Sequence, residues 1–176
     1  LLFLSGRDEK RLAEIAQDCT KKGAKTATKQ IDVTDRAAMQ DWIEAADAQS
    51  PLDLVIANAG ISAGMGGSAS ENGETPQQVR SIFDTNLYGV LNTIDPILPR
   101  MTARGRGQIA LMSSLAGFRG WPGAPAYAAS KAAVRSYGEG LGGAMARRGV
   151  LISVICPGFV ESRMTAVNTF PMPFLM

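Results

Sequence analysis

Short apolar runs alternate with helical patterns along the whole sequence, and this alternation constrains the fold most. Runs with strand character lie at 1–4, 26–35, 51–60, 107–114 and 149–158. Between the first two, apolar residues recur at helical spacing, and Gly23 follows as a C-terminal cap. Strands that alternate with helices in this way indicate βαβ units. We therefore expect an α/β fold in which a doubly wound parallel sheet carries helices on both faces.

Two further helices have sequence signals of their own. Met39, Trp42, Ile43 and Ala46 recur at the spacing of a buried helical stripe. A later helix begins at 75, where threonine is a favoured N-cap and a proline follows at the first helical position. The prolines at 96 and 99 should kink or end that helix, and the glycine- and serine-rich stretch 61–73 before it predicts a loop.

Length and composition indicate one ordinary globular domain over residues 1–176. Hydrophobic residues make up 45% of the chain and charged residues 19%, and the formal net charge is +2. These values are far from a nucleic-acid-binding profile. No apolar stretch approaches the ~20 residues that span a bilayer, so we expect no membrane partner.

The residue inventory excludes two kinds of catalytic site. The sequence has no histidine, which rules out a Ser-His-Asp triad. Cys19 and Cys156 lie far apart without ligand spacing, so we expect no metal site and no disulfide. Unpaired cysteines favour a reducing, cytoplasmic location.

The segment AYAASKAAVRSYGEGL at 126–141 places Tyr127 and Lys131 four positions apart, on one face of a helix. Taken alone, the two residues could equally be a solvated surface pair. A lysine ammonium beside a tyrosine favours the phenolate, and it would bring the phenol pKa of about 10 toward neutrality. Such a pair can therefore act as a general acid and base.

Five motifs occur together in a fixed order: NAG at 58–60, Asn86, Ser113-Ser114, Tyr127-x-x-x-Lys131 and Pro157-Gly158. Their order and spacing resemble those of the short-chain dehydrogenase/reductase family, which implies a Rossmann-type, NAD(P)-binding fold. The resemblance covers nearly the whole chain. The family's first βα unit with its glycine-rich phosphate loop, and its closing helix and strand, have no counterpart, so we expect the domain to be incomplete at both ends.

The resemblance implies a role for each catalytic candidate. Tyr127 would be the general acid/base, and Lys131 would lower its pKa and bind the nicotinamide ribose. The family places its serine thirteen residues before the tyrosine, which selects Ser114 over Ser113 to orient the substrate oxygen. Asn86 would support a water and proton path to the lysine; alternatively, it is a mid-helix asparagine that bends the helix.

The resemblance also assigns cofactor contacts to residues that follow the strands. Asp32 would bind the adenine through its side chain and Val33 through its backbone, and small residues at 58–60 would let the backbone approach the adenine ribose. The cofactor-binding set is Arg7, Asp32, Val33, Asn58, Ala59, Gly60, Tyr127, Lys131, Pro157, Gly158, Val160 and Ser162. Ser162 stands where the family more often has threonine, and it keeps the hydroxyl.

The residues after the first strand bear on the choice of nicotinamide. NAD-preferring proteins carry an acidic residue there, whereas this chain has Ser5-Gly6-Arg7. Arg7 could hold a 2'-phosphate in a charge-assisted pair, which predicts NADP as the cofactor, with NAD as the alternative. Arg7 could also be a solvated residue before a charged helix.

The substrate is predicted only as a class, a small carbonyl compound or alcohol. Its surroundings would come from Ala116, Phe118, Trp121, the loop 61–68 and the segment 163–176, although Trp121 could equally lie in an interface. Each of the glycines at 138, 140, 142 and 143 costs about 1 kcal/mol of stability relative to alanine in a helix interior. Close approach of another helix is one way to offset this cost. The resemblance implies that this helix and the one at 75–100 pair with their copies in a homodimer or homotetramer.

These features predict an oxidoreductase that transfers a hydride between NADP(H) and a carbonyl or secondary alcohol. Two alternatives remain. One is a catalytically silent fragment that acts only through association, because its phosphate loop is missing. The other is an epimerase or dehydratase relative that keeps its cofactor tightly bound. Cofactor binding by the chain would argue against the first alternative. Net NADPH consumption would argue against the second.

Overall fold

Five short strands form where the sequence predicts them. The computed structural model describes residues 1–63, 73–166, 172, 175 and 176. The strands are β1 (Leu2–Gly6), β2 (Thr26–Gln30), β3 (Leu54–Ala57), β4 (Gly107–Met112) and β5 (Val150–Ile155). All the pairings among them are parallel, which confirms the predicted parallel arrangement.

The strands form two sheets within the described residues. β1 pairs with β2, from Leu2 opposite Thr26 onward, and the other sheet has the order β3-β4-β5. In that second sheet, β4 lies in the centre and carries the fully buried Ile109 and Leu111. The carboxyl ends of parallel strands lie at one edge of a sheet, which brings the segments after β3, β4 and β5 together.

Seven helices connect or follow the strands in the described part of the chain. They are α1 (Glu9–Lys21), α2 (Arg36–Gln49), α3 (Pro76–Phe83), α4 (Gly89–Ile94), α5 (Leu98–Ala103), α6 (Pro125–Met145) and α7 (Arg163–Ala166). Carboxylates of Asp8 and Asp35 cap α1 and α2. None of the described helices is long and apolar enough to cross a membrane.

Helices cover both faces of the β1-β2 sheet. A Cβ atom added at Gly6 would contact Leu12 of α1, whereas the ring of Phe3 packs edge-on against Trp42 of α2. Residues 3 and 6 point to opposite faces of a strand, so α1 and α2 lie on opposite sides. This confirms the predicted α/β architecture. Met39 and Ile43 of α2 join the core.

The strand at 51–60 is less buried than its apolar sequence predicts. Val55 and Ala57 belong to the core, but Leu54 and Ile56 are 48% and 53% exposed. Alternate side chains point to opposite faces, and only the face that carries Val55 is packed against the core by described residues.

The helix predicted to begin at Thr75 contains a π-helical turn. Thr75 and Gln78 form a capping box with Pro76 in the first turn, and the prediction of this start is confirmed. After α3, residues Asp84–Tyr88 are π-helical before α4 continues. α4 ends at Ile94, before the two prolines, as their positions predict.

The glycines of α6 differ in what surrounds them. A Cβ atom at Gly138 would lie 2.5 Å from Val154 Cγ2 and 2.9 Å from Leu111 Cδ1. At Gly140 and Gly143 it would meet nothing within 4 Å among the described atoms. The close approach at Gly138 is therefore between α6 and the sheet.

Alanine substitutions in α6 should separate these two cases. Gly138→Ala should lower the free energy of unfolding by about 1–3 kcal/mol, because the stiff, half-buried Val154 must move. Gly140→Ala is the matched control in the same helix, and it should raise that free energy by roughly 0.5–1 kcal/mol through helix propensity. Urea denaturation measures both. Equal shifts in the two variants would contradict the packing role of Gly138.

Candidate active site

Lys131 of α6 is buried at the carboxyl end of β4. The residue is only 4% exposed, and its Nζ donates a hydrogen bond to the Met112 carbonyl at 2.8 Å. Burial disfavours the ammonium and lowers the pKa of Lys131 from 10.5 to about 8. A Cβ atom at position 60 would lie 3.2 Å from Nζ, so the glycine of the NAG motif keeps this side of the ammonium open.

Tyr127 lies one turn before Lys131, with Nζ 5.9 Å from the centre of its ring. Burial raises the pKa of the Tyr127 phenol, and a hydrogen bond with the Ser114 side chain opposes this rise. The direction is opposite to the lowered pKa expected from sequence. The physical reason is that desolvation outweighs the Ser114 bond, while the Lys131 ammonium is directed at the Met112 carbonyl.

The two neighbouring serines have different contacts. The Ser114 side chain bonds Tyr127, and its Oγ accepts from the Ala116 backbone N–H at 3.1 Å. The Ser113 hydroxyl points the other way and donates to the Lys131 carbonyl at 2.8 Å. The thirteen-residue spacing thus selected the serine that meets the tyrosine. The contact of Ser113 with the backbone of α6 has no local sequence signal.

Asn86 lies at the middle of the π-helical turn and is fully buried. Its Nδ2 donates to the Ile61 carbonyl at 2.9 Å and to Ser130 Oγ at 3.0 Å. Its Oδ1 accepts from the Ile61 N–H at 2.8 Å. The Asn86 side chain therefore ties the π-helical turn to the residue that follows the NAG motif and to α6.

Ser130 is a residue of the site that the sequence reasoning missed. It is fully buried, accepts from Asn86 and donates its own hydroxyl to the Tyr127 carbonyl at 2.8 Å. Ser130 therefore joins Asn86 to the backbone of the tyrosine. Its place between Tyr127 and Lys131 in the motif was the available signal, because a serine inside a helix needs a partner for its hydroxyl when buried.

The structure pairs two of the predicted adenine-side residues, Arg7 and Asp32. Arg7 Nη1 lies 3.6 Å from Asp32 Oδ2, and both side chains are largely exposed. Asp32 Oδ1 accepts from the backbone N–H and the hydroxyl of Thr34. The Thr34 backbone bond is the main cause of the lowered pKa of Asp32, and Arg7 contributes to it.

Val33 is held against α4. Its carbonyl accepts from Asn92 Nδ2 at 2.8 Å, and a Cβ atom at Gly89 would lie 2.6 Å from Val33 Cγ2. These contacts fix the backbone after β2. They occupy the carbonyl of Val33 and not its N–H, which is the group that could donate to an adenine nitrogen.

The predicted nicotinamide-side residues follow β5. The Pro157 carbonyl accepts from the Leu115 N–H at 3.0 Å, which joins this segment to the one after β4. The Val160 carbonyl accepts from the Thr165 hydroxyl, and Ser162 Oγ lies 3.2 Å from the same hydroxyl. Asn58, Ala59 and Gly60 follow β3 at the same edge.

Of the expected substrate surroundings, Phe118 and Trp121 are described and exposed. The Arg135 guanidinium covers the Phe118 ring at 4.5 Å from its centre. Residues 64–68 and 167–171, which we also assigned to the substrate, lie outside the described residues. In the described residues no cluster of potential metal ligands occurs.

Comparisons with known proteins place this chain among dehydrogenases. Residues 1–170 match the family model of short chain dehydrogenases. An uncharacterized oxidoreductase of Myxococcus xanthus is 41% identical over an alignment of 176 positions that covers 99% of this chain and 68% of that protein.

Solved structures show the same fold. A gluconate 5-dehydrogenase from Burkholderia cenocepacia, in complex with NADP and tartrate, has a TM-score of 0.81 at 27% identity, over 93% of this chain and 63% of that one. A variant of actinorhodin polyketide ketoreductase with NADPH has a TM-score of 0.84 at 28% identity, over 93% and 62%. This chain thus spans less than two thirds of either solved chain.

The buried ammonium gives a testable dependence of stability on pH. The pKa of Lys131 is about 8 in the folded protein and 10.5 without burial, so above about pH 8 the unfolded chain binds more protons. Unfolding free energy should therefore rise with pH, by up to about 1.4 kcal/mol per pH unit from this one group. Lys131→Met should remove that part of the slope.

Urea titrations at about pH 7.5, 8.5 and 9.5 measure the slope. This range stays below the pKa of Tyr127, which burial raises and which would act in the opposite direction. Lys22→Met, at an exposed lysine after α1, is the matched control and should keep the wild-type slope. Identical slopes for wild type and Lys131→Met would contradict the lowered pKa.

Proposed function

Since this chain belongs to the short-chain dehydrogenase family, we propose that it acts as an NADP-dependent oxidoreductase on a carbonyl compound or secondary alcohol. The observation that carries this proposal is the arrangement of Ser114, Tyr127 and Lys131 at the carboxyl end of β4. Tyr127 and Lys131 lie one helical turn apart and the Ser114 side chain bonds Tyr127, so these three groups would supply the proton chemistry that carbonyl reduction requires. The nicotinamide, when bound, supplies or accepts the hydride.

Each side chain has a distinct task in this proposal. The Ser114 hydroxyl holds the substrate oxygen next to the Tyr127 phenol, to which it is already hydrogen-bonded. Tyr127 gives its proton to that oxygen during reduction and takes it back during oxidation. The Lys131 ammonium stabilises the phenolate that remains.

The residues around Lys131 fit a bound ribose. An ammonium has three donors, and in the described part of the chain one of them bonds the Met112 carbonyl. The other two are available to ribose hydroxyls. Gly60 supports this fit, because any larger residue would place its Cβ 3.2 Å from Nζ and 3.4 Å from Asn86 Oδ1.

Arg7 supports NADP over NAD. Its guanidinium is exposed just after β1, and its ion pair with Asp32 shows that it can reach across to the end of β2. A planar guanidinium matches a phosphate bidentately, whereas an acidic residue would repel one. NADP- and NADPH-bound relatives of the same fold agree with this choice.

The exposed aromatic residues favour a substrate with an apolar part. Phe118 and Trp121 lie in the segment between Ser114 and α6, within a few residues of the reacting groups. We also infer a homodimer or homotetramer that pairs α6 and the α3–α4 region with their copies. The exposed Tyr88 and Tyr137 on these helices support it, because aromatic residues are enriched in interfaces.

Removal of the phenolic hydroxyl tests the mechanism directly. Tyr127→Phe, made in the full-length protein, should lower kcat for NADPH-dependent carbonyl reduction by about 10²–10⁴-fold, because the proton donor is lost. Tyr137→Phe changes a more exposed tyrosine of the same helix and should keep wild-type turnover. The assay follows NADPH absorbance. A Tyr127→Phe enzyme with full turnover would refute the proposed acid.

Loss of the guanidinium tests the cofactor preference. Arg7→Ala should raise KM for NADPH roughly tenfold or more, the effect of one charge-assisted phosphate contact, and leave KM for NADH nearly unchanged. Lys22→Ala, at the other end of α1, should change neither value. Steady-state kinetics with both cofactors gives the result. Equal increases for NADPH and NADH would show that Arg7 does not read the 2'-phosphate.

A further inference from the structure

Glu74 makes a contact with the first turn of α6 that its place in the sequence does not suggest. Its carboxylate accepts hydrogen bonds from the backbone N–H groups of Ala126 and Tyr127, one to each oxygen, and the second measures 3.1 Å. Glu74 is half-buried and directly precedes the capping box of α3. The contact therefore joins the start of α3 to the start of α6.

The first turn of α6 lacks a cap of its own. Ala124 occupies the N-cap position, and a methyl group cannot accept a hydrogen bond. Pro125 has no N–H, and the Ala128 N–H bonds the Ala124 carbonyl. The N–H groups of Ala126 and Tyr127 are the two that remain, and Glu74 bonds both. A negative charge at this end of a helix is also favoured by the helix dipole.

This arrangement fixes the backbone of Tyr127 from both sides. Its N–H is held by Glu74, and its carbonyl accepts from Ser130, which Asn86 holds in turn. Glu74 itself has little freedom, because the next residue, Thr75, is tied to Gln78 by two hydrogen bonds. A tyrosine in the first turn of an uncapped helix would otherwise be in its most easily frayed part.

We propose that Glu74 is a positioning residue for the reaction: through the N–H groups of Ala126 and Tyr127 it holds the first turn of α6, and with it the phenol of Tyr127, in the geometry that proton transfer needs. The proposal rests on the proposed function, because it assigns Glu74 a role in the same proton transfer. Displacement of a reacting group by about 1 Å can cost about 10²-fold in rate.

Kinetics of Glu74 variants in the full-length protein test the role. Glu74→Ala should lower kcat for carbonyl reduction by about 10-fold to 100-fold and change KM for NADPH much less, because most of the proposed cofactor contacts are on other segments and Lys131 is held separately by the Met112 carbonyl. Glu74→Gln keeps one acceptor oxygen and should recover part of kcat. This milder variant keeps the test decisive if Glu74→Ala folds poorly.

The N-cap of a different helix, α2, provides the matched control, with kcat measured at saturating NADPH because Asp35 follows the predicted adenine contacts Asp32 and Val33. The Asp35 carboxylate accepts from the Ala38 N–H at 3.0 Å at the start of α2. Asp35→Ala should lower the urea midpoint as Glu74→Ala does, but should keep wild-type kcat. Equal kcat values for Glu74→Ala and Asp35→Ala would overturn the proposal and leave Glu74 as an ordinary helix cap.

Amide hydrogen exchange separates this proposal from the proposed function. In Glu74→Ala the amides of Ala126 and Tyr127 should exchange at least tenfold faster than in wild type, while that of Ala38 is unchanged. This readout does not need turnover. If Tyr127→Phe retained activity but exchange at Tyr127 responded to Glu74, the mechanism would fail and the tether would stand. Unchanged exchange at Tyr127 would overturn the tether itself.

Discussion

The burial of the Lys131 ammonium beside a backbone carbonyl is the interaction on which the rest of the site depends. A buried charge is costly unless polar groups surround it, and residues at the end of β4 and shortly after it hold this lysine. The Met112 carbonyl accepts from Nζ, and the Ser113 hydroxyl donates to the Lys131 carbonyl. Gly117 completes the clamp, because a Cβ atom there would lie 2.8 Å from the carbonyl carbon of Lys131. One short segment thus fixes both the side chain and the backbone of the lysine.

A second set of hydrogen bonds holds the remaining side of the site. Asn86 makes three side-chain hydrogen bonds among the described residues, two with Ile61 and one with Ser130. A buried polar network is stabilising when every member has a partner, and this one joins the segment after β3, the π-helical turn and α6. The π-helical turn carries Asn86 in this network. Such turns insert one residue into a helix and often occur at functional sites.

Local patterns predicted the parts of this structure that local physics decides. The apolar runs gave the strands, Pro76 marked a helix start, and Gly23 ended α1 with a positive φ of 88°. The motif spacing predicted that Ser114 is the serine that contacts Tyr127, as the structure has it. Long-range contacts were beyond such reasoning. The hydrogen bond between Tyr127 and Glu74 joins residues more than fifty positions apart, and the Asn86 bonds to Ile61 and Ser130 are also long-range contacts that no periodicity reports.

The pKa values of Tyr127 and Lys131 also depend on their surroundings in the fold and not on residue type alone. Tyrosine and lysine differ little in ordinary pKa, at 10.0 and 10.5, but burial moves the two in opposite directions, raising Tyr127 and lowering Lys131 to about 8. Both shifts disfavour the charged form. At neutral pH the phenol is therefore firmly protonated, which is the state a proton donor must have before reduction. Oxidation needs the phenolate instead, and the Lys131 ammonium and the positive charge of an oxidised nicotinamide would both favour that form. Under the proposed mechanism, oxidation would therefore depend on such a positive charge, whereas reduction begins from the protonated phenol that burial favours.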